Sequence, residues 1–174
     1  MSGVLIRRET PADVDAIRSV TEAAFGPLYA PGPAPEPGLV DQLRADAGWL
    51  PQLSLVAEVD GEVVGHVVCT RGRVGDTPAL GLGPLSVRPG HQRSGVGSAL
   101  MHAVLGAADA LGEPLVALLG DPGYYSRFGF RQAEQFGVLA PEAEWGVHFQ
   151  ARPLTGYDPA VRGVFTYAEP FLRL

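Results

Sequence analysis

The residues whose types and spacing could do chemistry are a glycine-punctuated run, Gln92-Arg93-Ser94-Gly95-Val96-Gly97-Ser98, and a tyrosine pair, Tyr124-Tyr125, set behind Asp121. Val96, Ala99, Leu100, Ala103, Val104, Ala107 and Leu111 recur at helical spacing. That predicts a helix from near Ser94 to a stop at Gly112, ahead of Pro114. Gly95 and Gly97 then stand at its front, where bare backbone lets a ligand come close. The first turn of a helix carries N–H groups without partners, and the macrodipole makes that end positive. Phosphate is the guest such an end takes best. An ordinary helix start is the plainer reading, but it has no need of two glycines in its first turn.

Two common phosphate fingerprints fail here. Gly90 and Gly95 have the spacing of a P-loop, yet Val96 stands where lysine is required. Gly95-Val96-Gly97 opens a dinucleotide pattern whose third glycine is replaced by Leu100. His66, His91, His102 and His148 are scattered, none of them spaced with a cysteine or carboxylate as metal ligands are, so no metal is expected. Cys69, alone among valines, cannot form an internal disulfide and reads as buried and inert, with a Cys/His acyl transferase as its functional alternative. The sequence contains no lysine, which removes Schiff-base chemistry.

Composition narrows the partners. A chain of 174 residues, 46% hydrophobic and 18% charged, suits one globular domain over residues 1–174. No apolar run approaches a bilayer span and the N-terminus lacks a signal-peptide layout, so neither a membrane partner nor export is expected, and the location reads as cytoplasmic. The net charge of −6 argues against nucleic-acid binding and favours a cationic or neutral substrate. All thirteen basic residues are arginines and asparagine is also absent, as a high-GC bacterial genome would give. Monomer and homodimer stay equally open.

The elements that must position these residues follow from periodicity and turn signals. Val4–Arg8 alternates as a strand; Thr10, Pro11 and Asp13 open a helix with Val14, Ile17, Val20, Ala24 and Phe25 inward. The proline-rich stretch 27–38 reads as a loop, followed by a helix over about 36–47 with Leu39, Val40 and Leu43 inward. Strands are expected at 53–59 and 62–70, joined at Asp60-Gly61, and at 80–87, where Gly81, Gly83 and Pro84 mark a bulge. A short buried strand over 115–119 precedes Asp121-Pro122, the cap and first turn of a helix that stops at Gly129. Two further strands, 147–152 and 162–167, complete an α/β order with an antiparallel front half.

The run Gln92 to Gly97, behind Val87-Arg88-Pro89, resembles the acetyl-CoA loop of the GNAT N-acetyltransferases, Gln/Arg-x-x-Gly-x-Gly/Ala after a strand. Gly83-Pro84-Leu85-Ser86-Val87 and Tyr124-Tyr125-Ser126-Arg127-Phe128-Gly129-Phe130 are similar to the YhbS-like bacterial branch, and the likeness covers about residues 4–135. The resemblance implies an α+β fold: a central mixed, mostly antiparallel sheet of about six to seven strands flanked by helices, with the bulged strand leading into the coenzyme loop. It implies acetyl-CoA as co-substrate, its pyrophosphate held by Gln92, Arg93, Ser94, Gly95, Val96, Gly97 and Ser98. It further implies that the Leu85 N–H faces the acetyl oxygen and the Val87 backbone holds the pantetheine arm, if the bulged strand splays from its neighbour.

By the same resemblance Tyr125, rather than Tyr124, is the acid that protonates the departing thiolate, and Tyr124 packs or lines the pocket. Core packing of both rings is the alternative. No acid stands on Gly81-Leu82-Gly83, where the family often carries a base; Asp121 is the nearest candidate, though a helix cap is its simpler role. The acceptor is then a primary amine, small or on a protein or peptide. It is expected between the 27–38 loop and the C-terminal strands, with Tyr29, Trp49, Trp145 or Phe149 as aromatic walls. The competing reading is a non-catalytic acyl-CoA-binding or sensing module that kept the loop.

Overall fold

The computed structural model describes residues 3–174. The first helical turn, Pro11–Asp13, is 3-10, and α1 (Val14–Tyr29) continues it; Asp13 accepts the Thr10 N–H at 2.7 Å and fixes the chain's entry. α1 buries Ile17, Val20 and Thr21. It runs on through Pro27, where a loop is expected from the sequence. Proline there forgoes one bond to the Ala23 carbonyl with two residues of helix left, a loss a last turn tolerates. α2 (Glu36–Ala45) turns Leu39, Val40 and Leu43 inward, as its spacing predicts.

β1 (Leu5–Arg8), β2 (Ser54–Val59), β3 (Glu62–Val74) and β4 (Thr77–Val87) form an antiparallel series. Asp60 and Gly61 both take positive φ, 52° and 81°, which the tight β2–β3 turn demands. β3 and β4 run past the expected ends: Arg71, Gly72 and Arg73 pair with Leu80, Ala79 and Pro78 although their polarity reads as a break. Tertiary cover explains it. A Cβ on Gly72 would lie 2.6 Å from the Phe165 ring and one on Gly81 2.8 Å from the Tyr167 ring, so both glycines seat aromatics.

β5 (Leu115–Leu119) pairs parallel with β4 and antiparallel with β8 (Phe149–Pro153), and β8 carries the two-residue β6 (Arg131–Gln132). β9 (Gly163–Thr166) adds to the far end of β3, and β7 (Val138–Leu139) pairs with β9. The sheet order is thus β1-β2-β3-β4-β5-β8-β6, nine strands among the described residues with the two off that path. The count exceeds the expected six to seven because pieces two residues long leave no period to read. α3 (Val96–Ala110) lies on the sheet, burying Val96, Leu100, Met101, Val104, Leu105 and Ala108; Leu111, expected inward, is exposed. α4 (Pro122–Tyr125) follows β5 directly.

One buried polar cluster ties α2 to the sheet. Glu9 receives Arg44 Nε at 2.9 Å and the Ser54 hydroxyl, whose oxygen in turn lies 2.8 Å from His66 Nε2. Burial alone would push the Glu9 carboxyl up, but His66 Nε2 at 3.6 Å and the hydrogen bonds from Arg44 and Ser54 outweigh it and hold it at about 2. His66 is fully buried, and burial pushes its pKa down; because the Ser54 hydroxyl donates to Glu9, its oxygen is left to accept from His66 Nε2, while Nδ1 has no partner among the described residues. Burial likewise pushes the Cys69 thiol up, which agrees with an inert core cysteine.

A carboxyl held at about 2 against an ordinary 4.5 stabilises the fold by roughly 3 kcal/mol, at about 1.4 kcal/mol per pH unit. That stability is present above about pH 4.5 and is lost as pH falls toward 2. Glu9→Gln is therefore expected to be less stable at pH 7 by a few kcal/mol yet to show a flatter fall between pH 4.5 and 2. Urea unfolding of both proteins at several pH values checks this.

Candidate active site

The site is built on a parting of strands. β4 pairs with β5 only at Leu80–Val116 and Gly81–Ala117; beyond these the two separate. The cause lies on β4's other side. Val67 pairs with Leu85 and Cys69 with Leu82, so the single residue Val68 faces both Gly83 and Pro84. This bulge bends β4 away, with Gly83 at φ 143° and Pro84 lacking an N–H to offer β5.

The open edge presents particular atoms. Arg88 N–H donates to Val64 O at 2.8 Å, and antiparallel alternation then turns the N–H and C=O groups of Val87 and Leu85 away from β3, into the gap. Val87 O accordingly accepts Gln92 Nε2 at 3.0 Å rather than a strand partner.

The loop after β4 turns by way of Arg93 (φ 61°) and Gly95 (φ 91°), and Gly95 caps α3. The first helical bond is Ala99 N–H to Gly95 O; among the described residues the N–H groups of Val96, Gly97 and Ser98 have no backbone partner. A cavity of about 600 Å³ opens over them, lined by Val87, Gln92, Arg93, Gly95, Gly97, Ser98, Tyr124 and Arg127. Ser94 turns its hydroxyl to the His91 carbonyl, and the Val96 side chain is buried in the core.

Asp121 sets both tyrosines. Its Oδ1 accepts the Gly123 N–H at 2.9 Å as the cap of α4, and its carbonyl accepts the N–H groups of Tyr124 and Tyr125. The Tyr124 hydroxyl lies against Gly97, 2.8 Å from where a Cβ would stand. Arg127 sits over the Tyr124 ring at 4.8 Å and donates to its carbonyl. Tyr125 packs edge-on against Tyr124 and Phe130 and lies close against Gly120. Burial first, then Tyr124 and the Asp121 charge, push its phenol up to about 12.

A second cavity, about 460 Å³, lies on the other flank of the parted strand, between α1 and α2 and the C-terminal segment. Leu82, Gly83, Pro84 and Leu119 bring it to the gap. Of the four aromatics suggested by the sequence only Trp145 lines it. Tyr29 is exposed and bonds Glu36 Oε1 at 2.8 Å, Trp49 stacks under Arg44, and Phe149 is core. Phe25, Leu39, Tyr167, Phe171, Glu36 and Glu142 also line it, with Pro141, Leu172 and Leu174. Glu36 Oε2 is buried with no partner among the described residues, an arrangement that costs about 1–3 kcal/mol until something supplies a donor.

This geometry has counterparts. The profile of the Acetyltransferase (GNAT) family matches residues 17–130. The uncharacterized N-acetyltransferase YjhQ of Escherichia coli is 36% identical over 167 residues, 91% of this chain and 89% of that protein. The uncharacterized N-acetyltransferase YhbS of Escherichia coli is 35% identical over 95% of each. The crystal structure of YhbS in complex with CoA superposes with a TM-score of 0.89 at 30% identity, covering 100% of this chain and 94% of that one. A GNAT acetyltransferase from Brucella melitensis, in complex with acetyl-CoA, gives 0.79 at 37% identity over 97% and 98%.

The chain belongs to the GNAT acetyltransferases. It is an acetyl-CoA-dependent N-acetyltransferase with the fold its sequence resembles. The loop suits a pyrophosphate in its own chemistry: N–H groups without backbone partners among the described residues, Gly95 and Gly97 lining the cavity, and Arg93 and Arg127 on its wall. Among the described residues no group of three His, Cys, Asp or Glu is placed to hold a metal ion. Sequence reasoning missed Glu36, because a glutamate beside prolines reads only as a helix start, and it missed the C-terminal aromatics, which carry no period.

The seating of Tyr125 on Gly120 makes a direct check. A Cβ there would stand 2.5 Å from the ring, so Gly120→Ala is expected to displace Tyr125 and cost about 1–3 kcal/mol. Gly90→Ala, with open space around it, is expected to change stability little. Thermal unfolding together with near-ultraviolet circular dichroism distinguishes the two.

Proposed function

We propose that the protein moves an acetyl group from acetyl-CoA to a primary amine by direct attack within a ternary complex. The observation that carries the reading is the open edge of β4, running straight into the unpartnered N–H groups of the loop. In it Gln92, Arg93, Ser94, Gly95, Val96, Gly97 and Ser98 cradle the pyrophosphate, and the Val87 backbone holds the pantetheine arm once Gln92 Nε2 gives way. The co-substrate supplies an activated acyl carbon; everything else falls to the chain. The Leu85 N–H donates to the acetyl oxygen as negative charge grows there, a contribution of about 3–4 kcal/mol for one placed donor.

As the new C–N bond forms and the C–S bond breaks, Tyr125 gives its proton to sulfur and the amine proton leaves to base or water. A phenol near 12 is fully protonated at neutral pH, which suits an acid, though transfer runs uphill even to the free thiolate (~8.5), so the proton moves only as that thiolate is released and reprotonation of the phenol from water completes the turnover. Asp121 is the weaker candidate for the base, since its carboxylate is engaged as a cap. A reducing, acetyl-CoA-containing compartment fits the one free, buried cysteine, so we place the protein in the cytoplasm; the bacterial relatives support a bacterial source. The reading holds for monomer or homodimer, and for a small amine or a peptide terminus.

Tyr125→Phe is expected to lower kcat by roughly 10²–10⁴-fold with little change in coenzyme affinity; steady-state kinetics beside calorimetry checks it. Because the phenol is pushed up, the pH profile of kcat should show no descending limb from Tyr125 below about pH 10. Asp121→Asn, which caps as well as Asp, is expected to keep most of the activity. Gly97→Glu should abolish acetyl-CoA binding in calorimetry while the protein stays folded; normal binding would remove the loop from the site. Acetyl-CoA turnover with and without a panel of amines separates transfer from the non-catalytic alternative, which predicts no amine-dependent release of thiol.

A further inference from the structure

Resting on the acetyl-transfer reading above, we infer that the acceptor is a small monocationic amine on an apolar, ring-sized body, and that Glu36 recognises its charge. The second cavity, at about 460 Å³, has the size of a small-molecule site. Phe25, Leu39, Trp145, Tyr167 and Phe171 make its walls largely hydrocarbon and aromatic. Leu82, Gly83 and Pro84 set one side of it on the bulge, so an amine held there lies beside the open edge that Leu85 continues.

Both charged side chains on that wall are carboxylates, Glu36 and Glu142. Tyr29 donates to Glu36 Oε1 at 2.8 Å; Oε2 is covered and lacks a partner among the described residues. The terminal torsion of glutamate is soft, so a small turn offers that oxygen to a cation in the cavity. The same pair of acids repels a carboxylate, which disfavours free amino acids. Hydrocarbon walls would leave the many hydroxyl and amino groups of an aminoglycoside or polyamine unpaired. What the cavity matches is one positive charge on an otherwise apolar molecule.

The probes are phenethylamine, its neutral analogue phenethyl alcohol, the zwitterion phenylalanine, and spermidine. Binding to the CoA-saturated protein is read by tryptophan fluorescence and calorimetry, and turnover is measured with acetyl-CoA. Phenethylamine is expected to bind at least about tenfold more tightly than each of the other three. Glu36→Gln, which keeps an acceptor for Tyr29, is expected to erase the preference of amine over alcohol while alcohol binding stays the same. An unchanged preference in Glu36→Gln, tighter binding of spermidine or phenylalanine, or no phenethylamine binding overturns the inference, whatever is acetylated. Phenethylamine bound as expected with no amine acetylated upholds the ligand class and overturns the acetyl-transfer reading instead. Spermidine acetylated with phenethylamine unbound does the reverse.

Discussion

The whole arrangement depends on one mismatch of register: Val68 on β3 faces two residues of β4, Gly83 and Pro84. In a sheet interior nearly every backbone N–H and C=O finds a strand partner. Here the extra residue bends β4 off β5 after two residue pairs and leaves the edge at Leu85 and Val87 open where a neighbour would normally close it. Such an edge is a cost unless an extended ligand takes the missing strand's place. Both cavities take lining residues from this one parted strand, Leu82 to Pro84 in one and Val87 in the other.

Much of this was legible in sequence because it is local. Gly95 and Gly97, the periodic helix behind them, the Asp60-Gly61 turn and the Asp121-Pro122 cap each depend on conformational preferences of a few neighbouring residues. The bulge too announced itself, through glycine and proline in one strand. What could not be read was assembled from a distance. Glu36 and Phe171 are far apart in the chain yet share a cavity wall, and neither sits in a pattern that predicts the other. Arg71 to Arg73 read as a strand end because the aromatics that cover them arrive nearly a hundred residues later.

The buried cluster of Glu9, Ser54, His66 and Arg44 belongs to the site although it touches neither cavity. Arg44 lies near the end of α2, the helix whose first residue is Glu36 and whose Leu39 lines the second cavity. Its ion pair to Glu9 anchors that helix to the β1–β2 end of the sheet, and Trp49 stacks on the same guanidinium. Breaking a pair this well covered would leave an uncompensated charge, which ties the helix to that end of the sheet. A positioned wall is what separates recognition from mere room.

Gly81 carries a different kind of consequence. It lies beneath the Tyr167 ring, and Tyr167 forms part of the second cavity's wall. Any side chain placed there would displace that ring and so reshape the cavity from a position that does not itself line it. The cavity's shape is thus encoded partly in the layer behind its lining. A lineage selected for a differently shaped cavity has a mutational path through a strand position that inspection of the lining alone would pass over.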